Sequence, residues 1–376
     1  MPTKVGPKTV KQGLTFSFNT KDIKNSYLGK PIVNYISTIG NPAEVMSRGE
    51  FGQYYNLVPI FETYGLIPYT LSMEMKGNIF GDCLVYMQNG SYTKYGFVGQ
   101  WVTLTTEWQR FVFPNITPSG PDATWQANTP GDNRAMLATY TIYGTGRNPT
   151  VRNVQIEAGP YVSPFTVGTR STTEALKDLT GNTTITLTNL SYNSSGQIVF
   201  DGTDDYLTLS SGFYPTSSCS VEFVFRHTHN LVGSRYLLYG AGGIGFTIFM
   251  RGDWAGDLLY FLRRVNNSGN YGDSAWGYTT GIYYSAPANE TIHFIFTHEA
   301  GTGQFKCYKN GVLVRTIDGN LKDSGGLNTT QAVHYIGGTP GDNFPMTLPV
   351  FKVYNRVLLA SEVVENFNAI KTQHNI

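Results

Sequence analysis

The chain has 376 residues, which is more than one small core needs, and its length favours two domains. Charged residues are 14% of the chain and the formal net charge is +1, which argues against a nucleic-acid partner because nothing is built to neutralise a polyanion. The 25 Tyr, 22 Phe and 42 Gly residues favour many short strands joined by tight turns.

The first residues, Met1-Pro-Thr-Lys-Val-Gly-Pro7, lack the apolar core of a signal peptide, and no run of about 18 apolar residues occurs. We therefore expect neither export by that route nor membrane insertion. The three cysteines, Cys83, Cys219 and Cys307, are too scattered for a disulfide framework or a zinc site. We interpret them as buried thiols, with a Cys219–Cys307 bridge as the open alternative.

Alternation of apolar and polar residues recurs along the whole chain and predicts half-buried strands. The apolar members of the five clearest stretches are Leu14, Phe16 and Phe18; Leu71, Met73 and Met75; Val221, Phe223 and Phe225; Ile292, Phe294 and Phe296; and Phe351 with Val353. Gly, Asn, Asp and Ser clusters separate them at the intervals of a sandwich or jelly roll.

Two further local patterns are specific. Asn310-Gly311 lies between alternating strands and predicts a hairpin with a type I′ turn. A helix is predicted after Ser361, which would be its N-cap, and Glu362 lies near the positive end of that helix. The spacing of Val363, Phe367 and Ile370 predicts that these three side chains face a core. Residues 118–133 show no period and are interpreted as a long loop.

Four segments follow one another in an order that resembles laminin-G-like, concanavalin-A-like domains of bacteriophage virion and bacterial surface proteins. They are Asp178-Leu-Thr-Gly-Asn182, Phe200-Asp-Gly-Thr-Asp-Asp-Tyr-Leu207, Tyr308-Lys-Asn-Gly-Val-Leu313, and Phe351-Lys-Val-Tyr-Asn-Arg-Val-Leu358 with Ser361-Glu-Val-Val-Glu-Asn-Phe367. The resemblance covers roughly residues 171–371 and implies a β-sandwich built for binding.

A second resemblance lies upstream. Thr106-Glu-Trp-Gln-Arg110 and Val154-Gln-Ile-Glu-Ala-Gly-Pro-Tyr-Val-Ser-Pro-Phe165, with Gly168-Thr-Arg170, are similar to a carbohydrate-binding-module-like jelly roll of phage structural and fibre proteins. The position of this jelly roll directly before the laminin-G-like segments is the resemblance that implies a phage virion component.

The resemblances together imply an all-β protein with a discontinuous domain plan. We expect a flexible arm at 1–10, the first strand or strands of the laminin-G-like domain at 11–32, an inserted jelly roll at 33–168, and the rest of the laminin-G-like domain at 169–376. The two ends of an insertion must lie close together in space.

Catalysis is not expected. Hydrolases of the concanavalin-A-like fold need two carboxylates flanking the scissile bond, and their Glu-X-Asp-X-X-Glu signature is absent. Glu222 stands alone between apolar residues and is predicted to face solvent. His227 and His229 share a strand face but lack a third metal ligand, so we interpret them as a surface pair.

Asp201, Asp204 and Asp205 flank a Gly-Thr turn and offer oxygens to calcium, a hard cation that takes six to eight oxygen ligands. Acidic residues also form turns by accepting backbone N–H bonds, and that interpretation is preferred. Calcium is the alternative, and no other cofactor is expected.

An aromatic-rich segment from Trp254 to Tyr284 is the strongest functional feature. Its candidate binding residues are Trp254, Tyr260, Tyr271, Trp276, Tyr278 and Tyr283. Exposed aromatic faces stack on sugar rings, but the same composition is typical of protein interfaces and of plain core packing.

The resulting hypothesis is a phage virion structural protein, either a fibre or adhesin subunit or a capsid decoration protein. It would be made in the host cytoplasm, lie on the particle surface, form a homo-oligomer, and bind host glycans or neighbouring virion proteins. A bacterial surface glycan-binding protein is the first alternative and a glycan hydrolase the second.

Overall fold

Strands and the turns between them make up nearly all of the structure, a computed structural model, which confirms the all-β fold class. It describes residues 9–65, 67–88, 99–117, 136–142, 144–193, 196–213, 218–227, 234–240, 245–251, 258–264, 282–317, 333–339, 342–343 and 345–376. The chain divides into two units: a sandwich unit (Met1–Gly29, Thr172–Asn193 and Gln197–Ile376) and an inner unit (Lys30–Ser171 and Ser194–Gly196). The loop predicted at 118–133 lies outside the described residues.

The elements in chain order are as follows. β1 is Leu14–Asn19. In the inner unit, β2 is Ile32–Val33, β3 Met46–Ser47, β4 Phe51–Asn56, β5 Tyr69–Gly77, β6 Gly81–Gln88, β7 Gln100–Leu104, β8 Gln109–Ile116, β9 Met136–Tyr140, β10 Pro149–Ala158 and β11 Thr169–Arg170, with a 3-10 helix at Tyr35–Thr38 and a helix α1 at Val58–Tyr64. In the sandwich unit, β12 is Ile185–Thr188, β13 Ser191–Tyr192, β14 Ile198–Val199, β15 Tyr206–Phe213, β16 Cys219–His227, β17 Ser234–Gly240, β18 Gly245–Arg251, β19 Leu258–Arg264, β20 Ile282–Ser285, β21 Ile292–Glu299, β22 Gln304–Lys309, β23 Val312–Ile317, β24 Val333–Ile336, β25 Gly338–Thr339, β26 Asp342–Asn343 and β27 Met346–Tyr354, followed by helix α2 at Ala360–His374.

The sandwich unit contains two large antiparallel sheets. One has six strands in the order β1-β27-β16-β21-β22-β23, and the other has seven in the order β12-β15-β24-β17-β18-β19-β20. β1, from the start of the chain, pairs with β27 near its end, with Phe18 opposite Phe351. A single buried apolar cluster contains residues of both sheets, including Phe223 of the first and Leu207 and Ile336 of the second.

Both faces of β16, of β21 and of the last five residues of β27 are buried, so the prediction of half-buried strands is wrong for these stretches. All nine residues of β16 except Arg226 are buried, as are the first seven of β21. α2 supplies the reason: Val363 packs with Ile295 in one apolar cluster, and Ile370 packs with Val224 in another. A single helix therefore covers the face that alternation assigned to solvent.

The predicted hairpin is confirmed. Lys309 pairs with Val312, and the two residues between them have positive φ, +50° at Asn310 and +79° at Gly311, as a type I′ turn requires. The predicted helix exists but begins earlier, at Ala360, so Ser361 is not its N-cap. Glu362 instead accepts a hydrogen bond from the Leu359 backbone N–H at 2.8 Å. Val363 and Ile370 are buried as predicted, and Phe367 is half-buried.

The inner unit is a second sandwich, made of two four-stranded sheets in the orders β3-β10-β5-β8 and β4-β9-β6-β7. Its core is the other large apolar cluster, which includes Leu71, Met73 and Met75 as alternation predicted. The two ends of its main segment run side by side, because β2 pairs with β11 and the Asn34 N–H donates to the Gly168 carbonyl at 3.0 Å.

Buried polar side chains tie the segment after β10 to the sheet. Glu157 is fully buried and accepts hydrogen bonds from the Ser163 backbone N–H at 2.7 Å, from the Ser163 hydroxyl, and from Gln155 Nε2 at 2.9 Å. Lys30 Nζ lies 3.4 Å from the same carboxylate. The polar residues of the Gln-Ile-Glu pattern therefore have a structural role, since their side chains form hydrogen bonds inside the protein.

The three cysteines are free thiols and all are buried, which agrees with the preferred interpretation and rules out the Cys219–Cys307 bridge. Burial raises the pKa of Cys83 to about 12. Within the described ranges, neither helix has the length and apolarity that crossing a bilayer requires.

Candidate functional site

The outer face of the seven-stranded sheet carries a pair of tyrosines. Tyr206 begins β15 and Tyr335 lies in β24; both are partly exposed, and their ring centroids are 5.7 Å apart in an edge-to-face arrangement. Neither phenolic hydroxyl has a hydrogen-bond partner among the described residues. The pair therefore presents ring surface and unused hydroxyl groups together.

Strand register explains why these residues face outward. Leu207 and Leu209 of β15 and Ile336 of β24 are buried in the core, so the residues that alternate with them lie on the opposite face. Thr186, Thr208 and Tyr335 form one cross-strand row, and the backbone pairing continues it through Tyr239 of β17 and Thr247 of β18; these five are Cα partners in sequence. Hydroxyl-bearing residues thus occupy one row across five adjacent strands.

Two of the six predicted binding residues lie in described strands. Tyr260 in β19 and Tyr283 in β20 are direct Cα partners, so the backbone brings them side by side at the end of the same sheet. The other four, Trp254, Tyr271, Trp276 and Tyr278, lie outside the described residues.

Carboxylates are missing from the seven strands of this sheet, which contain no Asp or Glu. Glycoside hydrolysis needs an acid and a nucleophile or base, usually two carboxylates on either side of the bond. The described side chains of the sheet strands therefore offer aromatic rings and hydroxyl groups to a ligand, but no acid–base pair of that kind.

Glu222 was predicted to face solvent, and this is wrong: it is fully buried between the six-stranded sheet and α2. One carboxylate oxygen accepts from Lys352 Nζ at 2.7 Å and lies 3.3 Å from His293 Nε2. The other accepts from Asn366 Nδ2 at 2.6 Å and from the Tyr354 hydroxyl at 3.2 Å. Burial alone would raise the pKa of Glu222, but Lys352 and His293 outweigh it and hold the pKa at about 2. A carboxylate so enclosed cannot reach a glycan.

His227 was interpreted as half of a surface pair, and this is also wrong. It is buried, with Nε2 2.7 Å from the Ala286 carbonyl oxygen and its ring stacked on Phe225. Tertiary contacts at the end of β16 bury His227, which therefore does not face solvent. His229 lies outside the described residues.

Asp201, Asp204 and Asp205 come together at the entry to β15. One carboxylate oxygen from each lies within 4.8 Å of the others, with Asp201 and Asp204 exposed and Asp205 fully buried. The turn interpretation is correct in part, because Asp201 Oδ1 accepts from the Thr203 N–H at 2.7 Å. Burial and the two neighbouring carboxylates raise the pKa of Asp205 to about 6, against the lowering effect of a hydrogen bond from the Asp201 N–H.

Asn343 of β26 lies against this turn. Its side chain is 2% exposed, and its Nδ2 donates to the Thr203 carbonyl at 2.5 Å. Among the described residues, neither its Oδ1 nor Asp205 Oδ1 has a hydrogen-bond partner. Two buried oxygens without donors therefore lie at one turn, an arrangement that natural proteins rarely leave uncompensated.

In the inner unit, Trp108 of the Thr-Glu-Trp-Gln-Arg segment is half-buried and contacts two cations. The Arg152 guanidinium carbon is 4.0 Å and Lys76 Nζ 5.1 Å from its ring centroid. Arg152 also pairs with Glu74 at 2.7 Å. The ring therefore already has internal partners, which makes it a poorer platform for sugar than the tyrosine pair.

Sequence reasoning missed Tyr206, Tyr335 and Asn343 as functional candidates. Tyr206 had a signal, because it is the polar-facing member of the alternating stretch Tyr206-Leu-Thr-Leu209. Asn343 had none, since it lies 140 residues from Thr203 in sequence.

The sheet order and the buried core define a concanavalin-A-like sandwich. Residues 201–364 match the family described as the concanavalin A-like lectin/glucanases superfamily, of laminin-G type. This match starts at the acidic turn and ends within α2, so it falls wholly inside the sandwich unit.

Solved structures with similarity to the chain include three of botulinum neurotoxin. The binding domain of type DC in complex with rat synaptotagmin II is 16% identical, with 52% of this chain and 49% of that chain covered and a TM-score of 0.41. The serotype D domain in complex with N-acetylneuraminic acid is 14% identical, with coverages of 53% and 49% and a TM-score of 0.40. A type C structure concerned with two ganglioside molecules is 17% identical, with coverages of 52% and 49% and a TM-score of 0.40. The match spans about half the length of each of these structures, and no curated protein matches the sequence.

Proposed function

We propose that this protein is a non-catalytic glycan-binding protein whose sandwich unit binds sugar on the outer face of the seven-stranded sheet. The observation that carries the proposal is the Tyr206–Tyr335 pair, which is partly exposed beside Thr208 and whose hydroxyls have no hydrogen-bond partner among the described residues. Pyranose rings pack an apolar face on an aromatic ring while their hydroxyls exchange hydrogen bonds with Tyr and Thr. The absence of Asp and Glu from the seven strands supports binding over hydrolysis.

Glycan-array and calorimetric binding by the purified protein tests this. Each of Tyr206→Ala and Tyr335→Ala is expected to weaken binding several-fold, and the double variant about tenfold or more, because each ring contributes roughly 0.5–1.5 kcal/mol of stacking. Tyr335→Phe, which keeps the ring, is expected to retain most of the affinity. Trp101→Ala removes an exposed aromatic ring of the inner unit and serves as the matched control.

Variants of the predicted aromatic segment show whether the glycan binds on that segment or on the sheet face. A Trp254→Ala, Trp276→Ala variant is tested beside the tyrosine variants. Loss of binding in this variant with full binding by the tyrosine variants would place the ligand on the segment and contradict the sheet-face site. Absence of saturable binding by the folded native protein, to the array and to intact cells, would contradict a glycan-binding role.

We further propose that the chain is a structural component of a bacteriophage particle, as a fibre, adhesin or capsid decoration protein. The order of the two resemblances along the chain supports this proposal. In that setting the protein would bind neighbouring virion proteins or copies of itself as well as glycan. A bacterial surface glycan-binding protein is the alternative.

The composition of purified particles tests the virion role. We expect the protein to co-purify with density-banded particles at a fixed ratio to the major capsid protein, measured by quantitative mass spectrometry. Recovery only in the particle-free lysate or at the bacterial surface would contradict it.

A further inference from the structure

We propose that the outer face of the sheet β3-β10-β5-β8 in the inner unit binds an acidic polysaccharide through Arg110, Arg152 and Lys76, which lie around Trp108. The ligand class is a sugar polymer whose units carry carboxylates. This basic face belongs to a different unit from the tyrosine pair, and the proposal does not rest on glycan binding there.

Strand register places the three cations on one face. Arg110 of β8 and Arg152 of β10 are both Cα partners of Glu74 on the central strand β5. Lys76 follows two residues after Glu74 on β5 and therefore lies on the same side, whereas Met75 between them is buried in the core. Because neighbouring strands are about 4.8 Å apart, the two arginines project from strands roughly 10 Å apart.

Both guanidinium groups are already held in place. Arg110 Nη2 donates to the hydroxyl of the buried Ser72 at 2.7 Å. Arg152 Nε donates to Glu74 Oε2 at 2.7 Å, and its guanidinium carbon lies 4.0 Å from the Trp108 ring centroid. Each hydrogen bond uses one N–H of a group that has five, so the other donors can bind a carboxylate with little further loss of side-chain freedom.

Positive charge on this face is not fully matched by carboxylates. Glu74 pairs with Arg152 at 2.7 Å. Within the described part of the chain, neither Arg110 nor Lys76 has a carboxylate oxygen within 4.0 Å. Lys76 Nζ instead lies 5.1 Å from the Trp108 ring centroid. Two cations are therefore available to an anionic ligand beside a third that is already paired.

The chemistry of the basic face selects the ligand. A guanidinium fork matches the two oxygens of a carboxylate, and cations on strands roughly 10 Å apart suit a chain with repeated acidic groups. Ser47 and Thr150 are Cα partners, and Thr150 is also the partner of Lys76, so hydroxyl groups lie beside the cations and can exchange hydrogen bonds with sugar hydroxyls. Nucleic acid fits less well, because its bases stack on open aromatic rings and the Trp108 ring already contacts Arg152 and Lys76.

Calorimetric titration of the intact protein with oligogalacturonate, a chain of carboxylate-bearing sugars, tests the proposal. We expect saturable binding that weakens several-fold when the ionic strength rises from about 0.05 M to about 0.5 M, because salt screens exposed charges. The methyl ester of the same oligosaccharide keeps the sugar chain but has no charge. It should bind at least about tenfold more weakly.

Variants locate the site. Arg110→Gln and Lys76→Gln should each weaken oligogalacturonate binding about threefold to fivefold, with Tm unchanged, because neither side chain is buried. Lys24→Gln removes one positive charge from an exposed turn of the sandwich unit and should bind as the native protein does. The Tyr206→Ala, Tyr335→Ala variant should also keep oligogalacturonate binding, so this proposal and the proposed function can fail separately.

Four results would overturn the assignment of the basic face. They are equal affinity for the oligosaccharide and its methyl ester, equal loss of binding in Lys24→Gln, tighter binding of a single-stranded oligonucleotide of the same charge, and absence of saturable binding by the folded protein at millimolar oligogalacturonate. The first would indicate recognition of neutral sugar, the second a general charge effect, and the third a nucleic-acid ligand.

Discussion

Replacing Glu222 with Ala is expected to lower the free energy of unfolding of the sandwich unit by about 3–5 kcal/mol. The carboxylate is fully buried and is the shared partner of Lys352, His293, Tyr354 and Asn366. Its removal leaves the Lys352 ammonium, 5% exposed, without its counterion, and an unpaired buried charge is among the costliest single defects. Urea denaturation of native and variant protein measures the difference.

Three controls accompany this variant. Glu299→Gln, at the exposed end of β21, should change stability by less than about 0.5 kcal/mol. Glu222→Leu combined with Lys352→Met removes both charges and should recover part of the loss, because apolar replacement of a buried pair is often tolerated. A loss below about 1 kcal/mol in Glu222→Ala would contradict the account of the network.

The stabilisation that the Glu222 network provides should depend on pH. The pKa of Glu222 in the folded state, about 2, lies below the usual value of 4.5, so the folded state binds the proton more weakly than the unfolded state. The stabilisation is therefore complete above about pH 4.5 and is lost as the pH falls towards 2. Glu222→Gln should flatten this part of the stability profile.

Asp178→Ala is expected to cost about 2–4 kcal/mol and to release β1 from the sheet more often. The carboxylate is 8% exposed and accepts five hydrogen bonds, from the N–H groups of Ser17, Thr180, Asn182 and Thr183 and from the Thr180 hydroxyl. Because the Ser17 bond joins the carboxylate to β1 across 161 residues, we expect faster amide hydrogen exchange in β1.

Asp22→Ala is the matched control for this prediction. Asp22 also accepts backbone N–H bonds, from Lys24 and Asn25, but those lie within an exposed local turn. We expect it to cost less than about 1 kcal/mol, with exchange in β1 unchanged. Equal effects of the two variants on stability and exchange would contradict a long-range role for Asp178.

Local patterns in the sequence were sufficient for the parts of the fold that depend on neighbouring residues. The type I′ hairpin followed from Asn310-Gly311, because positive φ at two successive positions is a property of those residue types. The buried apolar positions Leu71, Met73 and Met75 of β5 followed from a period of 2 and those of α2 from a period of about 3.6, although Ser72, which alternation placed on the other face, is buried as well. The start of α2 did not, since Glu362 pairs with Arg356 and caps the Leu359 N–H without a Ser N-cap.

The candidate site shows the opposite dependence. Composition directed attention to Trp254 and its aromatic neighbours, whereas the described sheet face presents Tyr206 and Tyr335, which are 129 residues apart and meet only because β15 pairs with β24.

By itself, the sequence determined the all-β class, the turn chemistry and the face of each strand that is apolar, because those are properties of residue type and short spacing. Only the tertiary structure decided what covers the other face. Glu222 and His293 occupy polar positions of an alternating pattern, and α2 and Lys352 convert them from surface residues into a buried network. Thr203 and Asn343 are hydrogen-bonded for the same reason: a contact across 140 residues depends on chain topology, which alternation along one strand does not contain.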